Sequence, residues 1–306
     1  MSPTFSVLIT SYNSADTIER CLKSVLSQVF LDFEVIVVDD GSSDKSVSLI
    51  KKFEDPRIRL VSLRRNSGGP ALPRNTALDL AKGTWVCFLD SDDWWSPLKL
   101  STINSFSSPS IDVLCHNENR VDREERKIGT AIYGPCNPMF YQTMLVSGNR
   151  LSTSATTVRR SFINDFDLRF DEAKGIRIVE DFDFWLKLAR EGAKFRFVDE
   201  VLGNYVIEGG ISCNLEAASK NLNNMLRRHI KYCGERENLR WLAYLLTIKC
   251  EGFRRDDLNA YKSIACSKKI EWIFRGIVFY IFVRMKRVAR VFAFKFSNGI
   301  KNVHHT

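Results

Sequence analysis

Over the first hundred residues, short apolar runs alternate with amphipathic stretches. Phe5–Thr10 (FSVLIT) and Glu34–Asp39 (EVIVVD) read as buried strands, and Ile58–Leu63 and Trp85–Leu89 as a third and a fourth strand. Between the first two, Ile18, Cys21, Leu22, Val25 and Leu26 recur at i, i+3, i+4, i+7 and i+8, which predicts one apolar helix face, with Asn13 or Ser14 placed to cap it. The turn DGSSD leads into a short helix ending near Phe53. Pro70 and Pro73 suit the start of another, which Leu72, Ala77, Leu78 and Ala81 continue to Gly83. Strands separated by helices predict an α/β fold with a doubly wound, mostly parallel sheet and flanking helices. Such sheets bind ligands beyond the carboxyl ends of their strands. Those ends carry Thr10–Tyr12, Asp39–Asp40 and Asp90–Asp93.

Residues 105–175 are less regular. Near 180, Phe182, Trp185, Leu186 and Ala189 form a helical stripe headed by Glu180 and Asp181, with Gly192 as its stop. Phe195–Asp199 reads as a further strand. From about 216 the pattern is helical and basic, so the expected division is a ligand-binding domain over 1–215 and a helical C-terminal region over 216–306. Charge supports it: residues 1–215 carry 26 Lys+Arg against 29 Asp+Glu, and residues 216–306 carry 19 against 7. The eight cysteines form no CxxC pair and no Cys/His ligand spacing, the usage of free thiols in a reducing compartment. No basic segment followed by an apolar one opens the chain, which predicts no export, and the apolar run 276–283 is too short to span a bilayer.

The densest chemistry is FLDSDDWW, Phe88 to Trp95, with three carboxylates within four residues. Helix capping accounts for one or two of them. Three repel one another unless a cation lies between, and Mg²⁺ or Mn²⁺ shared with a diphosphate supplies one. One of Asp39 and Asp40 can cap the next helix, leaving the other for a base or ribose. Trp94 and Trp95 suit a stacking platform or the core equally.

The ordered strings VLITSYNSADTIERCLKSVLSQVFLDFEVIVVDDGSSDKS, RNTALDLAKGTWVCFLDSDDWWSP and VEDFDFWLKLA resemble the family 2 glycosyltransferases of GT-A fold, over roughly residues 4–215. The resemblance implies a nucleotide-diphosphate sugar donor, a divalent cation (Mn²⁺ or Mg²⁺) and inversion at the anomeric carbon. Carried over, Thr10 and Tyr12 flank the nucleotide, Asp40 binds the base (usually uracil) and Arg74 lies near the nucleotide. Asp90 and Asp92 are the DxD pair, with Asp92 the closer metal ligand. Asp181 stands at the position of the catalytic base, and Glu180 and Trp95 are candidates for acceptor or sugar contact. GGIS, Gly209 to Ser212, resembles the family's flexible stretch after the catalytic domain, but Ser212 and Asn214 stand where a basic residue or His is common. Of the processive members' QxxRW motif only Arg240–Trp241 is present, which favours single addition.

Between Lys268 and Lys301, nine Lys+Arg and one acidic residue interleave with Phe, Ile, Val and Trp, a composition suited to an anionic membrane interface. A helical subdomain with a solvated basic face is the alternative, and no nucleic-acid module is recognisable. The expectation is a non-processive bacterial enzyme, cytoplasmic and peripheral at the inner face of the cell membrane. It moves one sugar, from a UDP-sugar, to a glycan acceptor, lipid-linked, for O-antigen, capsule or lipopolysaccharide core. Competing readings are a haloacid-dehalogenase-like phosphotransferase and a non-catalytic carbohydrate-binding membrane protein. The first conventionally carries its DxD at the first strand, whereas here it follows the fourth.

Overall fold

The computed structural model describes residues 2–207 and 215–230. Met1–Met225 forms one compact unit and Leu226–Thr306 a second, of which only the first residues are described. The expected boundary at 215/216 falls within a helix, Leu215–Ile230.

The first four strands are β1 (Phe5–Ser11), β2 (Phe33–Asp39), β3 (Ile58–Ser62) and β4 (Trp85–Asp90), paired in parallel in the order β3-β2-β1-β4. The helices between them are α1 (Ile18–Leu26), α2 (Ser46–Ile50) and α3 (Ala71–Leu80). Alternation along β1 divides two cores. Phe5, Val7 and Ile9 join Cys21, Leu22 and Val25 of α1 on one face. On the other, Phe88 of β4 meets Phe170, Phe184 and Trp185 edge-on, at centroid separations of 5.4, 6.1 and 5.9 Å. Burial on both faces is why β1, β2 and β4 read as continuous apolar runs; β3, at the sheet edge, leaves Arg59 and Ser62 exposed.

Beyond β4 the sheet is mixed. The strands are β5 (Trp94–Trp95), β6 (Val113–Val121), β7 (Lys127–Ala131), β8 (Thr156–Arg159) and β9 (Phe195–Val206). The order continues β4-β8-β6-β9-β5, with β8 antiparallel to both neighbours, β6 and β9 parallel, and β7 on the side of β6. Helices α4 (Lys99–Phe106), α5 (Phe140–Ser147), α6 (Arg160–Asp165) and α7 (Glu180–Arg190) flank it, and Leu215–Ile230 is α8. Helix α7 ends as predicted at Gly192, whose φ of +87° needs no Cβ to clash. The Ala193 N–H reaches back to the Leu188 carbonyl in a Schellman-type closure.

Neither Asn13 nor Ser14 caps α1 through its side chain. Asn13, at φ +46°, accepts the Ser43 N–H at 2.9 Å, and the Ser14 hydroxyl pairs with that of Ser11 at 2.7 Å. The Ala15 N–H donates to Asp44 at 3.0 Å. The β1 loop is thereby tied to the β2 loop at the carboxyl rim, not to its own helix.

No helix among the described residues is long and apolar enough to cross a membrane. Cys21, Cys87 and Cys115 are buried free thiols, and Cys136 is exposed. GGIS, Asn214, Arg240–Trp241 and the basic segment 268–301 lie outside the described residues.

Candidate active site

Parallel pairing brings Thr10 level with Val38 and Asp90, so the ends of β1, β2 and β4 meet at one rim. Thr10 is half-buried and Tyr12 exposed there. Asp39 caps the turn after β2, accepting the Ser42 N–H at 3.0 Å and its hydroxyl at 2.5 Å. Asp40 is the rim carboxylate. It is buried and accepts the Ser67 backbone N–H at 3.0 and 3.1 Å and the Ser67 hydroxyl at 2.8 Å. Burial raises its pKa against those bonds.

Arg74, pointing from α3, organises the centre. Its guanidinium is 4% exposed and spans two carboxylates, Asp90 Oδ1 and Glu180 Oε1, each at 2.7 Å. Burial alone would lower its pKa; Asp90 and Glu180 more than offset this and hold it charged. The pair joins the end of β4 to the first turn of α7, residues separated by 90 positions in the chain. Glu180 is buried, its Oε2 has no hydrogen-bond partner among the described residues, and burial pushes its pKa up to about 8 despite Arg74. Asp181 follows on the same turn, half-buried, accepting from Asn149 Nδ2 at 3.2 Å, and burial raises its pKa as well.

The three carboxylates after β4 divide their roles. The Asp92 carboxylate accepts no hydrogen bond from another described side chain; burial, then Asp90, push it up to about 6. Asp93 is 1% exposed and structural: it accepts the Ser154 hydroxyl at 2.5 Å and the Val206 N–H at 2.9 Å. Those bonds fasten the DxD loop to the strand ends of β8 and β9. Trp95 corrects an expectation. It is 2% exposed, its indole N–H donates to the Ser154 carbonyl at 2.8 Å, and the Lys99 ammonium lies 3.3 Å from its ring centroid. Every face is covered, so Trp95 belongs to the core and not to a sugar contact. Trp94 carries the Arg20 guanidinium at 3.9 Å.

Two contributors were missed in the sequence. Ser154 accepts the Asp90 N–H at 3.1 Å and donates to Asp93, tying both to the loop before β8. Arg20, from α1, donates to the Asp92 carbonyl at 2.6 Å and pairs with Glu125 at 2.6 Å. Ser154 carries no motif, and Arg20 sits on the helix face that periodicity assigns to solvent.

Hard oxygen ligands with an unfilled Asp92 carboxylate fit Mg²⁺ or Mn²⁺. The described residues assemble no group of three or more metal ligands, and these ions commonly bind through one or two carboxylates plus substrate phosphate.

Residues 6–157 match the family described as Glycosyl transferase family 2. TuaG of Bacillus subtilis, named for teichuronic acid biosynthesis, is 30% identical over 71% of this chain and 85% of its own length. The UDP-Glc:alpha-D-GlcNAc-diphosphoundecaprenol beta-1,3-glucosyltransferase WfaP of Escherichia coli is 29% identical over 68% of this chain and 80% of its own. The crystal structure of S. aureus TarS 1-349 in complex with UDP-GlcNAc superposes with a TM-score of 0.65 at 23% identity, covering 91% of this chain and 80% of that one. The chain belongs to glycosyltransferase family 2, and its fold is that of TarS, the GT-A fold. Other curated relatives are longer: the chain spans 54% of one and 22% of another. None of these similarities supports a phosphotransferase or a non-catalytic binding protein.

Proposed function

We propose that the protein is an inverting, non-processive hexosyltransferase that moves one sugar from a UDP-sugar to a lipid-linked or phosphate-bearing glycan acceptor, in bacterial surface polysaccharide synthesis such as O-antigen, capsule or lipopolysaccharide core. One observation carries this reading: Arg74 holds Asp90 and Glu180 together, which brings the Asp90–Asp92 pair and Asp181 to one centre. A relative named for a diphosphoundecaprenol acceptor and a neighbour solved with UDP-GlcNAc support the substrate classes.

In this reading Thr10, Tyr12 and Asp40 receive the nucleotide, Asp40 by accepting from the base. Mn²⁺ or Mg²⁺, held by Asp92 and Asp90, would neutralise the diphosphate as it departs. A neighbour solved with GDP-Man and Mn2+ supports a divalent ion. Arg74 keeps Asp90 in place and offers positive charge beside the leaving group. Asp181 takes the proton of the acceptor hydroxyl as its oxygen bonds to the anomeric carbon and the bond from that carbon to phosphate oxygen breaks. A carboxylate whose pKa is raised by burial is the better base for that proton. Glu180, expected from the sequence as an acceptor or sugar contact, is buried and acts instead by holding Arg74 through Oε1. The region 216–306 would associate with anionic membrane and place the enzyme at the cytoplasmic face, next to a lipid-linked acceptor.

A matrix of UDP-, GDP- and dTDP-sugars against lipid-diphosphate acceptors, with Mn²⁺ or Mg²⁺, tests the reading. Sugar transfer from a UDP-sugar, lost in Asp92→Ala, is the expected result; a phosphoenzyme at Asp90 without transfer would refute it.

A further inference from the structure

Beside the candidate centre, the β3–α3 loop and the segment leading into α7 enclose a cavity of about 680 Å³. Four cations line it: Arg64, Arg65, Lys174 and Arg177. None of them has an ion pair among the described residues, and the one lining carboxylate, Glu172, is engaged by the Asn75 amide at 2.8 Å. Like charges gathered around a cavity focus a positive potential there. Such a gathering raises the energy of the empty protein and is relieved by an anion.

The cavity is built, not incidental. Arg177 donates to the Ser67 carbonyl at 3.0 Å and lies across Gly68, where a Cβ would come within 2.4 Å of its Nη1. Gly68 also has φ of +86°, a backbone shape that favours glycine. Ser67 in turn holds Asp40. Arg177 is fixed on one side of the loop whose other side carries the Asp40 carboxylate, and it precedes Glu180 by three residues.

Resting on the glycosyltransferase reading above, we propose that this cavity binds a phosphate group of the acceptor. The donor's diphosphate is assigned to the Asp90–Asp92 centre, and none of the residues of that centre lines the cavity. A second anionic group must come from the other substrate. Guanidinium groups bind phosphate oxygens in bidentate fashion, and three arginines with a lysine suit a diphosphate or phosphodiester.

The test compares wild type with the triple variant R64Q/R65Q/K174Q, which changes only exposed side chains. Transfer is measured with a sugar-diphospholipid, with a short polyol-phosphate oligomer, and with the same glycan lacking phosphate. The KM for a phosphate-bearing acceptor should rise about tenfold or more, while the KM for the phosphate-free glycan stays as in wild type. Which phosphate-bearing acceptor loses more identifies the source. Equal KM changes for charged and uncharged acceptors, or no change, overturn the proposal. So does loss of binding to anionic vesicles with acceptor KM unaltered, which would assign the cavity to a membrane. If wild type transfers no sugar at all, the enzymatic reading fails and the cavity is judged alone. Pyrophosphate titrated in EDTA should then bind wild type about tenfold or more tighter than the variant, and equal or absent binding refutes the anion site.

Discussion

Arg74 bears more of the site than any motif residue, because both of its partners lose compensation when it goes. Replacing it with Ala removes the cation that Asp90 and Glu180 share, and losing a hydrogen bond to a charged group costs about 1.5–3 kcal/mol. Arg74→Ala should therefore lower both the melting temperature and the turnover, and a melt with stability unchanged would show the pair to be dispensable. Arg20 acts on the same loop from α1 through the Asp92 carbonyl. Arg20→Gln should weaken Mn²⁺ binding about tenfold, read by paramagnetic quenching of tryptophan fluorescence, with Arg20→Lys between it and wild type. Equal quenching in all three would remove Arg20 from the metal loop. The sequence displayed Asp90, Asp92 and Asp181 because carboxylates stand out at strand ends and helix starts. It hid Arg20 and Ser154, whose contacts cross 72 and 64 residues of chain and leave no local pattern.

At the scale of the elements, β1, β2 and β4 were legible because burial on both faces leaves continuous apolar runs, while β3, at the sheet edge with Arg59 and Ser62 exposed, buries Ile58 and Leu60 only in part. The stretch from 105 to 175 was not. Strand β6 (VLCHNENRV) is buried along most of its length yet polar, so no apolar run announces it. Its Glu118 is fully buried; Oε2 accepts from the Tyr133 hydroxyl at 2.8 Å and Oε1 has no hydrogen bond within normal geometry among the described residues. Burial pushes its pKa from 4.5 up to about 7. A raised carboxyl pKa favours the protonated folded state, so its contribution is complete below about pH 4.5 and is lost as pH rises through about 7. Glu118→Gln should thus raise the melting temperature at pH 8 and leave it unchanged at pH 4; a variant less stable than wild type at pH 8 would contradict this. Trp95 was ambiguous in sequence since an aromatic after a strand suits a platform or a core equally. Trp95→Ala should cost about 3–5 kcal/mol of stability, measured by denaturant melts, and leave the donor KM of the folded fraction unaltered.

Over the whole chain, the carboxylates of the candidate centre and the excess of positive charge lie in different stretches of sequence. The excess of positive charge lies in residues 216–306, and liposome flotation with and without residues 268–306 measures what it does. Binding to anionic vesicles should fall on truncation; unchanged flotation would detach the tail from the membrane. Family membership was readable from three ordered strings at the strand ends and the start of α7, whereas the irregular middle region shows no period to read. The account turns on Asp181 as the group that takes the acceptor proton. The most direct measurement is single-turnover sugar transfer by Asp181→Asn, alongside its donor affinity. Transfer should fall by about 10²–10⁴ with donor affinity retained, and full transfer by that variant would contradict the account.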